Sequence, residues 1–189
     1  KLQLGVDVYE ADGTCGVCGA VNDRKGVHAR SCTCGGDADL RHNAQRDATF
    51  AFCRRGNLRP KLEAEGLLAK PGAPDGRRPA DVLVCAELGP PTVAERDGGR
   101  PARRHAIDFK VVNPLGLTRS SREGGGARPE PLEAARAYAA DARDRVAARC
   151  EEAGVRFHPR VLEATGGVED REAAPSLYQV AAAVAAVED

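Results

Sequence analysis

Arg78-Pro79-Ala80-Asp81-Val82-Leu83-Val84 and Ala106-Ile107-Asp108-Phe109-Lys110-Val111-Val112 are the two stretches that decide how this chain reads. Each is short, apolar and rich in β-branched residues, the composition of a strand. Each also carries charge in its middle. Burying an unpaired charge is expensive, so Asp81, Asp108 and Lys110 need partners. A divalent cation is the most economical partner. Two carboxylates bind it, and an ammonium beside it orients or deprotonates a water.

An Asp on one strand followed by Asp-x-Lys on the next is a layout used by metal-dependent nucleases. The alternative is two ordinary edge strands with a cross-strand Asp–Lys pair. The choice of Lys is informative. Of 28 Lys and Arg, only Lys1, Lys25, Lys61, Lys70 and Lys110 are Lys. A sequence that otherwise prefers Arg has kept a compact, pKa-tunable ammonium at Lys110.

At 189 residues the chain reads as one domain with a small appendage. Its hydrophobic content is 42%, much of it Ala, and aromatics make up 4%. Met is absent, so the sequence reads as a segment of a longer product. No apolar run approaches the ~18 residues of a membrane span, and no membrane partner is expected. The net charge is zero, unlike that of a strongly basic nucleic-acid binder. Locally it is uneven. Between Arg41 and Lys61, Arg41, Arg46, Arg54, Arg55, Arg59 and Lys61 face a single acid, Asp47.

Four of the 7 Cys lie close together near the start. They form Cys15-x2-Cys18, then His28-x3-Cys32 after a short spacer, with Cys34 as an alternative fourth thiolate. A Cys-x2-Cys turn points two thiolates at one ion, and His-x3-Cys on a helical turn adds two ligands. The expectation is a closed structural Zn2+ site in a reducing compartment. A redox Cys-x-x-Cys would want a βαβ context that is missing, and free thiols are the remaining alternative.

The rest reads coarsely. Leu2 to Tyr9 alternates as a short strand. Asp37 to Arg55 is a helix with Leu40, Ala44, Ala48, Ala51 and Phe52 at helical spacing, stopped by Gly56. Leu58 to Leu68 is ambiguous, with a short strand bearing Glu63 as one reading. Pro71 to Pro79 is a turn. Strands follow near 80–86 and 105–113, joined by a Gly/Pro-rich connection over 89–100. Arg119 to Arg128 is a loop. Glu130 to Ala153 is a helix whose apolar face holds Leu132, Ala135, Tyr138, Ala142, Val146 and Cys150, closed by Gly154. Val155 to Ala164 is a strand, and Glu172 to Val187 a final helix. Cys53, Cys85 and Cys150 read as small core residues. His105 and His158 receive no role.

Several strings occur in an order that resembles a known family. They are His28-Ala29-Arg30-Ser31-Cys32, Gly35-Gly36, Arg41-His42-Asn43-Ala44-Gln45-Arg46-Asp47, Leu62-Glu63, Gly66-Leu67-Leu68, Arg78-Pro79-Ala80-Asp81 and Ile107-Asp108-Phe109. Ala148-Arg149-Cys150, Gly154-Val155-Arg156-Phe157 and Leu162-Glu163-Ala164-Thr165-Gly166-Gly167 follow. No single piece is specific, but their order, over nearly the whole chain, resembles the restriction-like endonuclease domain of non-LTR retrotransposons. That domain follows a reverse transcriptase and is preceded by a Cys/His knuckle.

The resemblance implies an α/β fold of PD-(D/E)xK type, a mixed sheet flanked by helices. It divides the chain into a zinc knuckle at 1–36 and an endonuclease domain at 37–189. Asp81 and Asp108 match the metal-binding acids, Lys110 the lysine, and Glu63 an acid that precedes the first motif. Arg41, His42 and Asn43 match the start of the first helix, with a role in orienting a phosphate or an acid. With Arg46, Arg54 and Arg55 they would form a DNA-binding face. The implied activity is Mg2+- or Mn2+-dependent nicking of DNA in the nucleus. The implied partners are DNA and the reverse transcriptase region of the same polypeptide.

One departure stands out. Relatives carry a basic residue one turn after the aromatic of the long helix, where this chain has Ala142 after Tyr138. Either Lys110 does that work or the site is impaired. Two other readings follow: a zinc-containing nucleic-acid-binding domain without cleavage, and a zinc-dependent protein-interaction module beside a separate α/β domain.

Overall fold

The computed structural model describes residues 6–69, 78–85, 104–113, 132–164, 168 and 180–187. The 71–77 part of the expected turn, the 89–100 connection, the 119–128 loop and residues 172–179 of the last expected helix lie outside them.

The element order is β1 (Gly13–Thr14), β2 (Val21–Asn22), α1 (Val27–Ser31), α2 (Asp37–Arg55), β3 (Pro60–Leu62), β4 (Val82–Val84), β5 (Arg104–Val112), α3 (Glu133–Glu152) and β6 (Val155–Glu163). Residues 180–187 are helical and are called α4. β1 and β2 form a small antiparallel ribbon, and the main sheet has the order β3-β4-β5-β6. β3 with β4 and β4 with β5 are antiparallel, while β5 and β6 are parallel from Arg104↔Val155 to Val112↔Glu163. A parallel neighbour requires a crossover, and α3 lies in it. Gly154, at φ 65, ends α3 and turns the chain into β6.

Period-2 alternation separates two faces. Val82, Val84, Ile107 and Phe109 pack with Cys53 of α2, with Leu58 in the turn after it and with Val180 of α4. Leu83, Ala106, Val155 and Phe157 pack against Ala142 and Cys150 of α3. The small residues Ala135, Ala139 and Ala142 let α3 lie close to the sheet. Asp108 and Lys110 alternate with Ile107 and Phe109, so they share the α3 side. Asp108 is half-buried and Lys110 exposed near the end of β5, which is how the sheet tolerates both charges.

Four expectations are corrected. Residues 6–9 form no strand; instead the amides of Val8 and Tyr9 bond the Arg24 carbonyl at 2.7 and 3.1 Å. The short strand of the ambiguous segment ends at Leu62, so Glu63 follows it, at φ 44. Asp81 precedes β4 rather than lying within it, though its amide still bonds the Ile107 carbonyl at 3.0 Å. The apolar stripe expected on α2 does not face the core, since Leu40 is 66% and Phe52 50% exposed. The face turned inward carries His42, Arg46, Thr49 and Cys53 instead. That polar stripe meets the acids described next.

Candidate functional site

Two clusters of chemistry-bearing side chains stand out. In the first, one ligand atom each from Cys15, Cys18, His28 and Cys32 lies within 4.8 Å of the other three. The Cys15 and Cys32 sulfurs are 3.9 Å apart, and Cys18 Sγ is 3.1 Å from His28 Nε2. A tetrahedron with Zn–S of about 2.3 Å has S···S edges of about 3.8 Å, so the spacing suits such an ion.

Local backbone explains the convergence. The Cys15 amide bonds the Ala20 carbonyl at 2.8 Å, the Gly19 amide bonds the Cys15 carbonyl at 2.9 Å, and Gly19 takes φ 74 to close the turn. Asp23 accepts from the amides of His28 at 2.8 Å and Val27 at 3.2 Å, which starts α1 and presents His28. Burial pushes the Asp23 carboxyl up, but these amides outweigh it and hold it below its ordinary value. The amides of Cys18 and Val17, then His28, lower the Cys15 thiol to about 6. A thiol so poised readily supplies the thiolate a metal needs. The four residues could hold one metal ion and are compatible with a structural zinc. Cys34 is exposed and is not among them.

The second cluster gathers around the start of β4 and the middle of β5. Asp81 Oδ2 accepts from the Phe109 amide at 2.7 Å and lies 3.0 Å from His42 Nε2. Among the described residues no hydrogen bond reaches its Oδ1. Burial, and then the Asp81 charge, push the Asp108 carboxyl up to about 7, against smaller pulls from His42, Lys110 and Arg145. The two acids are therefore electrostatic neighbours, and no ion pair joins Asp108 to a cation among the described residues. Asp108 opens onto a cleft of about 340 Å³, which Arg78, Tyr138, Arg145 and Arg149 also line.

The remaining expected site residues divide. The Glu63 amide bonds the Asp81 carbonyl at 2.9 Å, yet its carboxylate is held by Arg46 at 2.6 Å and Arg78 at 2.8 Å. Lys110 Nζ lies 5.8 Å from the centre of the Tyr138 ring, a cation–π contact. Arg41 donates to the Arg30 carbonyl at 2.7 Å, joining the knuckle to α2. Asn43 Oδ1 is 3.4 Å from His42 Nδ1. Arg54 and Arg55 point outward, with the Arg55 guanidinium 5.6 Å from the Phe52 ring. Among the described residues, the Cys/His set is the one group of three or more potential ligands close enough to share an ion.

Sequence reasoning overlooked Arg145. It sits seven residues after Tyr138, two turns on, so helical spacing puts both on one face of α3. It also overlooked the pair of buried His105 Nδ1 and half-buried His158 Nε2, 3.0 Å apart on neighbouring strands. Only the β5–β6 register brings those two together. Comparison with protein-family models, curated proteins and solved structures found no match.

Proposed function

We propose that this chain is the metal-dependent DNA endonuclease domain of a retrotransposon-derived polyprotein, with a PD-(D/E)xK fold and a zinc knuckle. The observation that carries the reading is the acid pair. Asp81, directly before β4, and Asp108, on the adjacent antiparallel β5, are half-buried, and their mutual repulsion helps lift Asp108 to about 7. Such a pair favours a divalent cation, which relieves the repulsion and restores both carboxylates.

In this reading Asp81 and Asp108 hold Mg2+ or Mn2+, which would neutralise the scissile phosphate and acidify its water. His42 and the Phe109 amide fix Asp81 through Oδ2 and leave Oδ1 for the cation. Lys110, on the same strand face as Asp108, stabilises developing charge. Arg145 and Arg149 supply cationic walls to the cleft. Glu63 positions Arg46 and Arg78 rather than ligating the cation itself. The Zn2+ of the knuckle is structural, and Arg54 and Arg55 remain the outward DNA contacts. The chain would act with the reverse transcriptase region of the same polypeptide, in the nucleus.

Nicking of supercoiled plasmid by the 189-residue chain with Mg2+ or Mn2+ tests this. Asp81→Ala and Asp108→Ala should abolish nicking. Equal, metal-independent background from wild type and Asp108→Ala would defeat the assignment. The second reading, a nucleic-acid-binding domain of the same fold without cleavage, would then stand. The packing of Lys110 on Tyr138 favours that reading, since it holds the ammonium over a ring.

A further inference from the structure

The cleft beside Asp108 offers a chemistry that phosphate hydrolysis alone does not use. Its walls are cationic, but its buried lining is apolar. Leu68, Pro79 and Phe157 are buried there, and Val146 of α3 is half-buried. A phosphate gains nothing from such a surface, because an ion loses hydration against it. At about 340 Å³ the cleft is near the lower end of small-molecule sites, room for one planar group.

The guanidiniums point the same way. Arg78 is bound by its edge to Glu63 at 2.8 Å and to Glu65 at 2.5 Å, and Arg145 to Asp141 at 2.6 Å. N–H groups so committed have less left for a phosphate. A guanidinium held by its edge still presents a flat cationic face, which stacks on aromatic rings. A gap left by imperfect packing between sheet and helix would account for Val146 and Phe157 alone. It would not gather Arg78, Arg145 and Arg149 around an apolar surface. Nor would it place there Asp108, the one carboxyl among the described lining residues, which belongs to the acid pair as well. An occupant of the cleft therefore touches the position where the scissile phosphate would be held.

We propose that this cleft receives one nucleobase turned out of the DNA strand, next to the phosphate that faces Asp81 and Asp108. The base would lie against Val146 and Phe157 and under the guanidinium face of Arg78, while its own phosphates stay at the cationic rim. Turning a base out of the stack is costly, and least so where it is unpaired or mismatched. The site would therefore favour a strand with a locally unpaired nucleotide over a perfect duplex. The inference rests on the reading that the acid pair faces a DNA phosphate, and it names what lies beside that phosphate.

Fluorescence anisotropy of the whole chain, without added Mg2+ or Mn2+, tests this with two labelled short strands of equal charge. One is wholly abasic, and the other carries a single adenine among abasic residues. The adenine strand should bind about tenfold more tightly. Val146→Phe, which fills the cleft, should abolish that advantage and leave the affinity of the abasic strand unchanged. If this variant melts early, Arg78→Lys decides. It keeps the charge at an exposed position, loses the plane and should reduce the advantage severalfold. Two strands that behave alike, or an advantage that survives both substitutions, would overturn the pocket. Plasmid nicking by wild type, with the two strands bound alike, removes the pocket and leaves the nuclease reading. An adenine advantage lost in Val146→Phe, with no nicking under Mg2+ or Mn2+, keeps the pocket and removes the nuclease reading.

Discussion

Asp108 is the residue on which chemistry and stability meet. Its ordinary value is 3.8, and in the folded chain it lies at about 7. Between those values the native state holds more protons than the unfolded chain. Its contribution to stability is therefore full below pH 4 and is lost as pH rises through about 7. His158 works the other way. Burial, then His105, lowers it to about 3, so stability rises with pH between about 3 and 6.5. The two slopes oppose one another, so the wild-type profile alone separates neither. Asp108→Asn isolates the first. Without divalent metal the variant should exceed wild type by roughly 1–3 kcal/mol above pH 7 and match it below pH 4. Urea denaturation at both pH values measures this, and Mg2+ should then stabilise wild type and not the variant. A variant no more stable than wild type at high pH would show that the acid pair carries no strain.

At the scale of elements, α2 explains what could and could not be read from sequence. Its span, Asp37–Arg55, was legible because apolar and small residues recur at helical spacing and Gly56 stops them, although the cap is Gly36 and Asp37 is the first helical residue. α3 was legible because helical periodicity runs up to Gly154, and β6 because alternation begins directly after it. The inward face of α2 was not legible. The hydrophobic pattern pointed to Leu40 and Phe52, but the sheet receives His42, Arg46, Thr49 and Cys53. A local pattern cannot anticipate that His42 will meet Asp81, 39 residues on, or that Arg46 will meet Glu63. Patterning fails where polar residues are kept inside for a purpose.

The far end of α2 shows the opposite constraint. A Cβ at Gly56 would lie 3.2 Å from the Val184 amide nitrogen and 3.3 Å from Ala183 atoms, mostly backbone that cannot swing away. Gly56→Ala should therefore cost about 1–3 kcal/mol by forcing α2 and α4 apart. Asn57→Gly, one residue on, should stabilise by up to about 1 kcal/mol, because it relieves φ 55. Thermal melts of the two variants should move in opposite directions. A shift of both the same way would mean the turn is not held as described.

At the scale of the whole molecule, hydrogen bonds among the described residues tie the knuckle to α2 and to the end of β5. Arg41 reaches the Arg30 carbonyl at 2.7 Å, and Asn113, just past β5, reaches the Val27 carbonyl at 3.2 Å. Both acceptors are backbone atoms of α1, whose geometry depends on Asp23 and on His28 meeting the three thiols. The core around Ile107 and the core around Ala106 include no residue of the knuckle, the earliest residue packed on either being Phe50 of α2. Loss of a metal ion held by the four knuckle residues should therefore be local in its first effect. Chelation, or Cys15→Ser, should increase hydrogen exchange and proteolysis over residues 10–36 and release one equivalent of zinc. Amides of β5 and β6, bonded to each other along nine residue pairs, should stay protected. On the proposed nuclease reading, cleavage at the acid pair should respond in a graded way, because α1 bears on α2 through Arg41 while Asp81 is held by His42, the next residue. Arg41→Ala should reproduce a mild form of zinc loss, with weaker DNA nicking, a full equivalent of zinc and an intact sheet. A Cys15→Ser chain that keeps its zinc would remove the metal assignment. One whose β5 and β6 amides exchange as fast as residues 10–36 would show that the knuckle and the sheet fold as one unit.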